Sequence, residues 1–336
     1  MEPLLLLSVV ISFIASLLLI PSWIRRARKA GLVGRDMNKF KQKEVAEAGG
    51  ITVVSGFILG TLVYIAIKIF YFKTSSNLVE IFALISVILI VSFMGFIDDV
   101  LGWKMGLGKK IRIFFVLFSA IPLMVINAGY SKIGIPFLDG TNLGLLYPLI
   151  IIPLGIAGAS ISFNFLAGYN GLEAGQGILL LSAFAVFSWL TGSSWLSVIA
   201  LCMIASLFAF LFFNKFPAKI FPGNTMTYAV GALIAVMAIL GNYEYFAIFI
   251  FIPYILETLL KLRGKLIVES FGKPQKDGSL EPGSEKICGL ENLAIRILKK
   301  IKPSKKVYET EVVLFIHIFQ IIIMILAFII FRDKLF

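Results

Sequence analysis

The chain is poor in charge. Of its 336 residues only 15% are Asp, Glu, Lys or Arg and 59% are hydrophobic, whereas soluble domains carry roughly 25% charged residues. That shortage excludes an ordinary soluble globular protein. Cysteine is nearly missing: Cys202 falls in an apolar block and Cys288 in a basic loop, which excludes a disulfide framework and a thiolate metal site. The single histidine, His317, sits in the last apolar block and reads as a packed or interfacial side chain. Repeats, low-complexity tracts and interdomain linkers are also missing, so residues 1–336 read as one integral-membrane domain.

Acidic residues are outnumbered, 19 against 31 Lys and Arg, for a net charge of +12. A nucleic-acid partner is not indicated, because the basic residues lie in gaps between apolar blocks and no nucleic-acid module is visible. The blocks themselves run to about 17 to 22 residues, enough for a helix to cross roughly 30 Å of hydrocarbon and too long for the strands of a lipid-facing barrel. The expected fold is an all-α polytopic membrane protein of ten spans, near 4–24, 49–70, 79–97, 110–129, 143–163, 176–192, 194–213, 223–240, 244–260 and 312–331. The first block precedes Arg25, Arg26, Arg28 and Lys29 and has no small-residue cleavage site, so it reads as a retained span and not a signal peptide.

Positive charge sets the orientation. About 26 of the Lys and Arg residues fall in the loops after spans 1, 3, 5, 7 and 9, and about four on the opposite side, which places those loops in the cytosol and both termini outside. The unusual polar stretches fall on the same face: GRDMNKFKQKEVAEAGG in loop 1, DDVLGWKMGLGKK in loop 3, NFLAGYNGLEAGQ in loop 5 and FNKFPAKIFPGN in loop 7. Loop 9, about 261–311, carries GLENLAIRILKKIKP, whose apolar residues recur at helical spacing; it reads as an interfacial helix held by its stripe and by anionic lipid, with a partner-protein surface as the alternative.

Adjacent acids at the end of a span, Asp98 and Asp99, are costly unless they face a polar cavity, a cation or a shared proton. Taken alone they could equally mark the water boundary. Asn164, Asn170 and Glu173 stand among glycines in loop 5, and Asn224 with Thr225 at the start of span 8; such residues can ligate Mg²⁺ or bind a base edge, or simply cap helices. Lys39, Lys109, Lys110 and Arg112 could meet a diphosphate or only orient the chain. Carboxylates, amides, lysines and glycine turns without a catalytic His or Cys suit Mg²⁺-assisted phosphoryl transfer. A lipid-linked sugar transporter, the rival reading, needs polar residues at mid-depth, where these spans have few.

FIDDVLG, NFLAGYNGLEAGQ, FPGNT and the first-loop DMNK followed by EAGG resemble the polyprenyl-phosphate N-acetylhexosamine-1-phosphate transferases, glycosyltransferase family 4. The resemblance runs along essentially the whole chain and is nearest the archaeal and eukaryotic branch, which uses UDP-GlcNAc and dolichyl phosphate. It implies transfer of N-acetylglucosamine 1-phosphate to a polyprenyl phosphate lipid with release of UMP, dependent on Mg²⁺ or Mn²⁺. That transfer would be the first step of lipid-linked oligosaccharide assembly for protein N-glycosylation, with the same chemistry on another UDP-HexNAc for cell-surface polysaccharide as the alternative. The setting would be a cell membrane, or the endoplasmic reticulum if the source is eukaryotic, and the chain could act as a homodimer. By the same resemblance Asp98, Asp99 and Lys109 are catalytic, Asn164 and Asn224 ligate the metal, and Met37, Glu47, Asn170 and Phe221 line the nucleotide-sugar pocket, Asn170 against uracil. Lys39, Lys110, Arg263, Lys265 and Lys273 are phosphate-binding candidates, since loop 9 lacks the family's Arg-His-Arg motif. Position 224 is usually Asp in the eukaryotic pattern; Asn keeps an oxygen ligand and removes a charge, which also raises the alternative of a weakened paralogue.

Overall fold

The structure is a computed structural model that describes residues 3–102, 106–129, 143–268 and 270–334. Helix α1 (Leu6–Lys29) leads through a short hairpin, β1 (Val33–Arg35) with β2 (Glu44–Ala46), into α2 (Gly50–Ala66), which ends in a π turn at Ile67–Tyr71. Then come α3 (Leu78–Leu101), α4 (Lys109–Phe118), α5 (Ile121–Val125), α6 (Ile152–Phe165), α7 (Leu172–Leu190), α8 (Ser194–Asn214) and α9 (Gly223–Gly241). The chain finishes with α10 (Glu244–Ile250), α11 (Ile252–Arg263), the hairpin β3 (Lys273–Pro274) and β4 (Leu280–Glu281), α12 (Leu290–Ile301) and α13 (Glu309–Ile330).

Among the described residues eight helices are long and apolar enough to cross a membrane, and a ninth span forms if α10 and α11, bent by 59°, are taken together. The bend falls at Phe251, just before Pro253, whose ring cannot continue the hydrogen-bond ladder. The expected fourth span, 110–129, is instead the two short helices α4 and α5, parted at Ser119 and Ala120 ahead of Pro122. The turn expected at 191–194 is present, with α8 beginning at Ser194.

Helix α9 is the centre of the bundle, its residues buried almost without interruption from Thr225 to Ile239. It packs against α3, α6 and α2, while α1, α2 and α8 pack together beside it. Helix α1 lends this second group a buried edge of Ser8, Ser12 and Ser16. Small side chains let helix backbones approach where lipid gives no hydrophobic drive for association.

Loop 9 differs from its expected form. The apolar stripe of α12 faces protein: Ala294 and Ile295 are fully buried, and the helix packs on α11 and α13. Glu257 of α11 accepts the Leu290 N–H at 2.6 Å and so holds the start of α12. Only Ile301, at the far end, is largely exposed. Amphipathic spacing specifies that one face is buried; it does not specify whether lipid or protein covers it.

Candidate active site

The last turn of α3 presents Asp98 and Asp99 to the start of α9. Asp99 Oδ1 accepts the Asn224 N–H at 2.6 Å, and its Oδ2 accepts the Thr225 N–H at 3.1 Å and the Thr225 hydroxyl at 2.6 Å. These first-turn amides have no partner within their own helix, and a negative charge there meets the positive end of the helix dipole. Asp99 therefore caps α9 from a different helix. Contact this close requires Gly223, whose φ is +68° and where a Cβ would lie 2.3 Å from Asp99 Oδ2. Gly95, one turn earlier in α3, is needed for the same approach: a Cβ there would lie 2.6 Å from Thr225 N.

Asp98 is buried and points elsewhere. Its Oδ1 accepts the Leu107 N–H at 2.7 Å; its Oδ2 accepts from Asn224 Nδ2 at 2.6 Å and pairs with Arg112 Nε at 3.0 Å. Arg112 also donates to Leu107 O at 2.7 Å, tying α4 to the loop after α3. Donors from α4, α9 and that loop thus compensate two adjacent like charges, and charge-assisted hydrogen bonds of this kind are the strong ones.

The network continues through Asn224. Its Oδ1 accepts from Asn164 Nδ2 at 2.6 Å, and Asn164, in the last turn of α6, donates also to Thr227 Oγ1 at 2.7 Å. Arg112, Asp98, Asn224 and Asn164 form one connected chain across the ends of α3, α4, α6 and α9. Beside it stands Glu47, whose backbone carbonyl accepts from Trp23 Nε1 at 2.9 Å. Burial, aided by the negative charge of Asp99, raises the Glu47 carboxyl pKa to about 7. A buried carboxyl shifted toward neutrality beside other polar side chains is a candidate functional group.

The donor set can be tested against a metal. Among the described residues no three His, Cys, Asp or Glu side chains converge on a metal position. Asp98, Asn164 and Asn224 are hard oxygen donors, and Mg²⁺ is commonly held by one or two carboxylates together with substrate phosphates. The residues fit an ion of that kind arriving with a diphosphate.

A second polar cluster lies beside the first. Asn170 N–H donates to Glu309 Oε1 at 2.7 Å and its Nδ2 to Asp36 Oδ2 at 3.1 Å. Lys39 pairs with Glu309, lies 3.5 Å from Asp36 and covers the Phe216 ring at 4.0 Å. Glu173 Oε1 accepts the Gly168 N–H at 2.7 Å, and Asn38 Nδ2 donates to Gly168 O at 2.5 Å. The loop before α9 is tied to the segment before α2 through Phe221 N–H to Ala46 O at 2.8 Å and Gly49 N–H to Phe221 O at 2.9 Å.

The structure therefore gathers Asp98, Asp99, Asn164, Asn224 and Glu47 in one place, where the loops numbered 1, 3, 5 and 7 from the sequence meet, and Asn170 with Lys39 in a second, where loops 1, 5 and 7 meet the start of α13. Met37 is exposed and Phe221 half-buried. Lys39, a phosphate-binding candidate, has its ammonium beside two carboxylates and a ring. Lys110, Arg263, Lys265 and Lys273 are exposed, and the side chain of Lys109, the first residue of α4, lies outside those described. Sequence reasoning missed Asp36 and Glu309. Asp36 stands at the head of DMNK, and Glu309 had only the look of a first-turn acid on the last span.

Comparison with known proteins identifies the family. The sequence pattern described as glycosyl transferase family 4 matches residues 81–242, which include Asp98, Asp99, Asn164, Asn170 and Asn224. A protein of Saccharolobus solfataricus, provisionally named UDP-N-acetylglucosamine–dolichyl-phosphate N-acetylglucosaminephosphotransferase, is 40% identical over 277 residues, 82% of this chain and 83% of that one. The Dictyostelium discoideum protein of the same name is 30% identical over 289 residues, 74% and 70% of the two chains. A phospho-N-acetylmuramoyl-pentapeptide-transferase of Halalkalibacterium halodurans is 29% identical over 284 residues, 80% and 86% of the two. With its acid pair, its bridging asparagines and relatives matched along most of their length, the chain belongs to glycosyl transferase family 4.

Proposed function

We propose that this protein transfers N-acetylglucosamine 1-phosphate from UDP-GlcNAc to dolichyl or a related polyprenyl phosphate, on the cytosolic face of the membrane, as the first step of lipid-linked oligosaccharide assembly. The observation that carries the reading is the connected chain Arg112, Asp98, Asn224 and Asn164 at the meeting point of four helix ends. It is supported by the 40% identical archaeal relative, whose name specifies this donor and acceptor. An oxygen of the lipid phosphate attacks the β-phosphorus of the UDP-sugar, the bond from that phosphorus to the bridging oxygen breaks, and UMP leaves with that oxygen. The products are UMP and polyprenyl-diphosphate GlcNAc.

The two acids divide the work in this scheme. Asp99 is the less enclosed of the pair and adjoins Glu47; it faces the lipid phosphate and takes its proton, with Glu47 able to hold a proton near neutral pH. Asp98, gripped by Arg112, keeps Asn224 oriented. Asn164, Asn224 and Asp98 would hold Mg²⁺, which when bound neutralises charge on the diphosphate oxygens. Asn170 faces uracil, and Met37 and Phe221 border the base. Lys109, Lys110 and the exposed cations of loop 9 draw the diphosphate in.

The test is UMP release by purified protein in detergent with polyprenyl phosphate, Mg²⁺ and a panel of UDP-sugars. Turnover with UDP-GlcNAc, lost on chelation, is expected. Absence of turnover with every UDP-sugar and every polyprenyl phosphate would sink the assignment.

A further inference from the structure

Asn170 is the residue proposed to face the base, and its surroundings bear on which base it accepts. It sits between Gly168 and Gly171, both in the left-handed region at φ +105° and +82°. A segment bent at both ends is held from outside, and here side chains remote in sequence take its amides. Glu309 accepts the Asn170 N–H at 2.7 Å, and Asn214 Oδ1 accepts the Gly171 N–H at 3.2 Å. Glu309 is itself buried, at the first turn of α13, and is paired with Lys39. Lys39 also lies 3.5 Å from Asp36, which accepts from Asn170 Nδ2 at 3.1 Å. Asp36, Lys39, Glu309 and Asn170 close into a ring joining three segments of the chain.

The ring fixes more than position. An amide side chain can present either its donor or its acceptor, and its two faces are nearly equal in shape. Asp36, a carboxyl side chain with no N–H to offer, receives the NH₂ end of Asn170 and so leaves Oδ1 as the outward group. Among the described residues Asn170 Oδ1 carries no hydrogen bond. The outward oxygen suits a base edge that offers a ring N–H, as uracil does at N3, and repels one that offers a ring nitrogen lone pair there, as cytosine does.

We propose that Asp36 and Glu309 are positioning residues for base specificity: Glu309 holds the backbone of Asn170 and Asp36 fixes its amide with the oxygen outward, so that the pocket selects uracil over cytosine. This rests on Asn170 facing the base. A mismatched hydrogen bond at a buried polar contact costs about 1.4 kcal/mol or more, which corresponds to about tenfold in affinity. Asp36→Asn removes the preference, because the new amide can receive from or donate to Asn170, and the outward group is then free to turn over.

The experiment uses the full chain in detergent and measures dissociation constants for UMP and CMP, together with KM for UDP-GlcNAc and for the polyprenyl phosphate. In Asp36→Asn and in Glu309→Gln the UMP-to-CMP preference should fall about tenfold and the KM for UDP-GlcNAc rise, with the KM for lipid phosphate unmoved. Asp36→Glu should restore part of the preference. A merely structural role would move both KM values together and would leave the ratio of the two nucleotides unchanged. If one variant is not recovered folded, the other carries the same measurement. Asn170→Ala separates the two levels: if it leaves the nucleotide preference intact, the placement of Asn170 fails and the proposal with it. If Asn170→Ala abolishes the preference while Asp36→Asn and Glu309→Gln keep it, the proposal alone is overturned.

Discussion

Replacing Asn224 with Asp is the most informative single change, because the structure gives both terms of its effect. In the native protein Asn224 Nδ2 donates to Asp98 Oδ2 at 2.6 Å. Asn224→Asp removes that donor, a hydrogen bond to a charged group worth about 1.5–3 kcal/mol, and puts a carboxylate in its place. Two such charges about 4 Å apart at an effective dielectric near 20 repel by about 4 kcal/mol. Arg112, at 3.0 Å from the same Asp98 oxygen, offsets part of this, so a net loss of about 2–5 kcal/mol is expected without divalent metal. Mg²⁺ should reverse the loss, since an ion between the two carboxylates turns their repulsion into ligation. At 100 times its dissociation constant an ion bound only by the folded state adds about 2.7 kcal/mol. The assay is thermal unfolding of native and Asn224→Asp protein in detergent, each with chelator and across a Mg²⁺ titration. The variant should unfold at lower temperature in chelator and gain more from Mg²⁺ than the native chain. Equal unfolding temperatures in chelator, or equal Mg²⁺ shifts in both proteins, would refute the reasoning.

Three further outcomes are expected. Gly223→Ala forces a Cβ to 2.3 Å from Asp99 Oδ2 at a φ of +68°; turnover should fall at least about 100-fold with a loss of about 2 kcal/mol in stability, and retention of wild-type turnover would show that the close contact is dispensable. Glu47, with its pKa raised in the folded state from 4.5 to about 7, holds its proton more tightly folded than unfolded, so its contribution to stability is lost as pH rises from about 4.5 to about 7. Glu47→Gln should flatten the stability profile across that window, by up to about 3 kcal/mol; an unchanged slope between pH 5 and 7 would count against the raised value. Gly60→Ala puts a Cβ 1.7 Å from Ser12 Oγ and 2.6 Å from Ser8 O, which should part α1 from α2 and cost about 1–3 kcal/mol, read as a lower unfolding temperature; no change there would mean that α1 packs more loosely than its buried serines imply.

The sequence made much of this legible, for reasons that differ by feature. Span lengths and the Lys and Arg bias are local properties, and they led to the helices and to one crowded set of loops. Asp98, Asn164 and Asn224 could be picked out because polar residues at span ends are rare enough to stand out, and the structure brings them together. The partners of those residues were not legible. Nothing local to FIDDVLG says that Asp99 receives the amides of residues 224 and 225, because a cap supplied by another helix has no sequence period. Glu309 was hidden for the same reason: its partners, Lys39 and Asn170, lie 270 and 139 residues away. The stripe of α12 was read correctly as a buried face and assigned to lipid, because periodicity carries no information about what does the burying. The break before Pro122 went unread, because the apolar run around it is long enough for a single span.

The cap that Asp99 supplies to α9 also has a consequence for biogenesis. Its donors lie 125 and 126 residues downstream, so during synthesis the Asp99 carboxylate reaches the membrane long before the amides that receive it. A nascent chain stopped short of residue 223 carries one uncapped acid, Asp99, beside an Asp98 already held by Leu107 and Arg112, a defect confined to the end of α3. Insertion of α9 removes it. The last tie, from Glu309 to Asn170, forms only when α13 arrives, so a chain truncated before α13 would carry the acid pair in place and the Asn170 segment held by Asp36 and Asn214 alone among its remote partners, without Glu309.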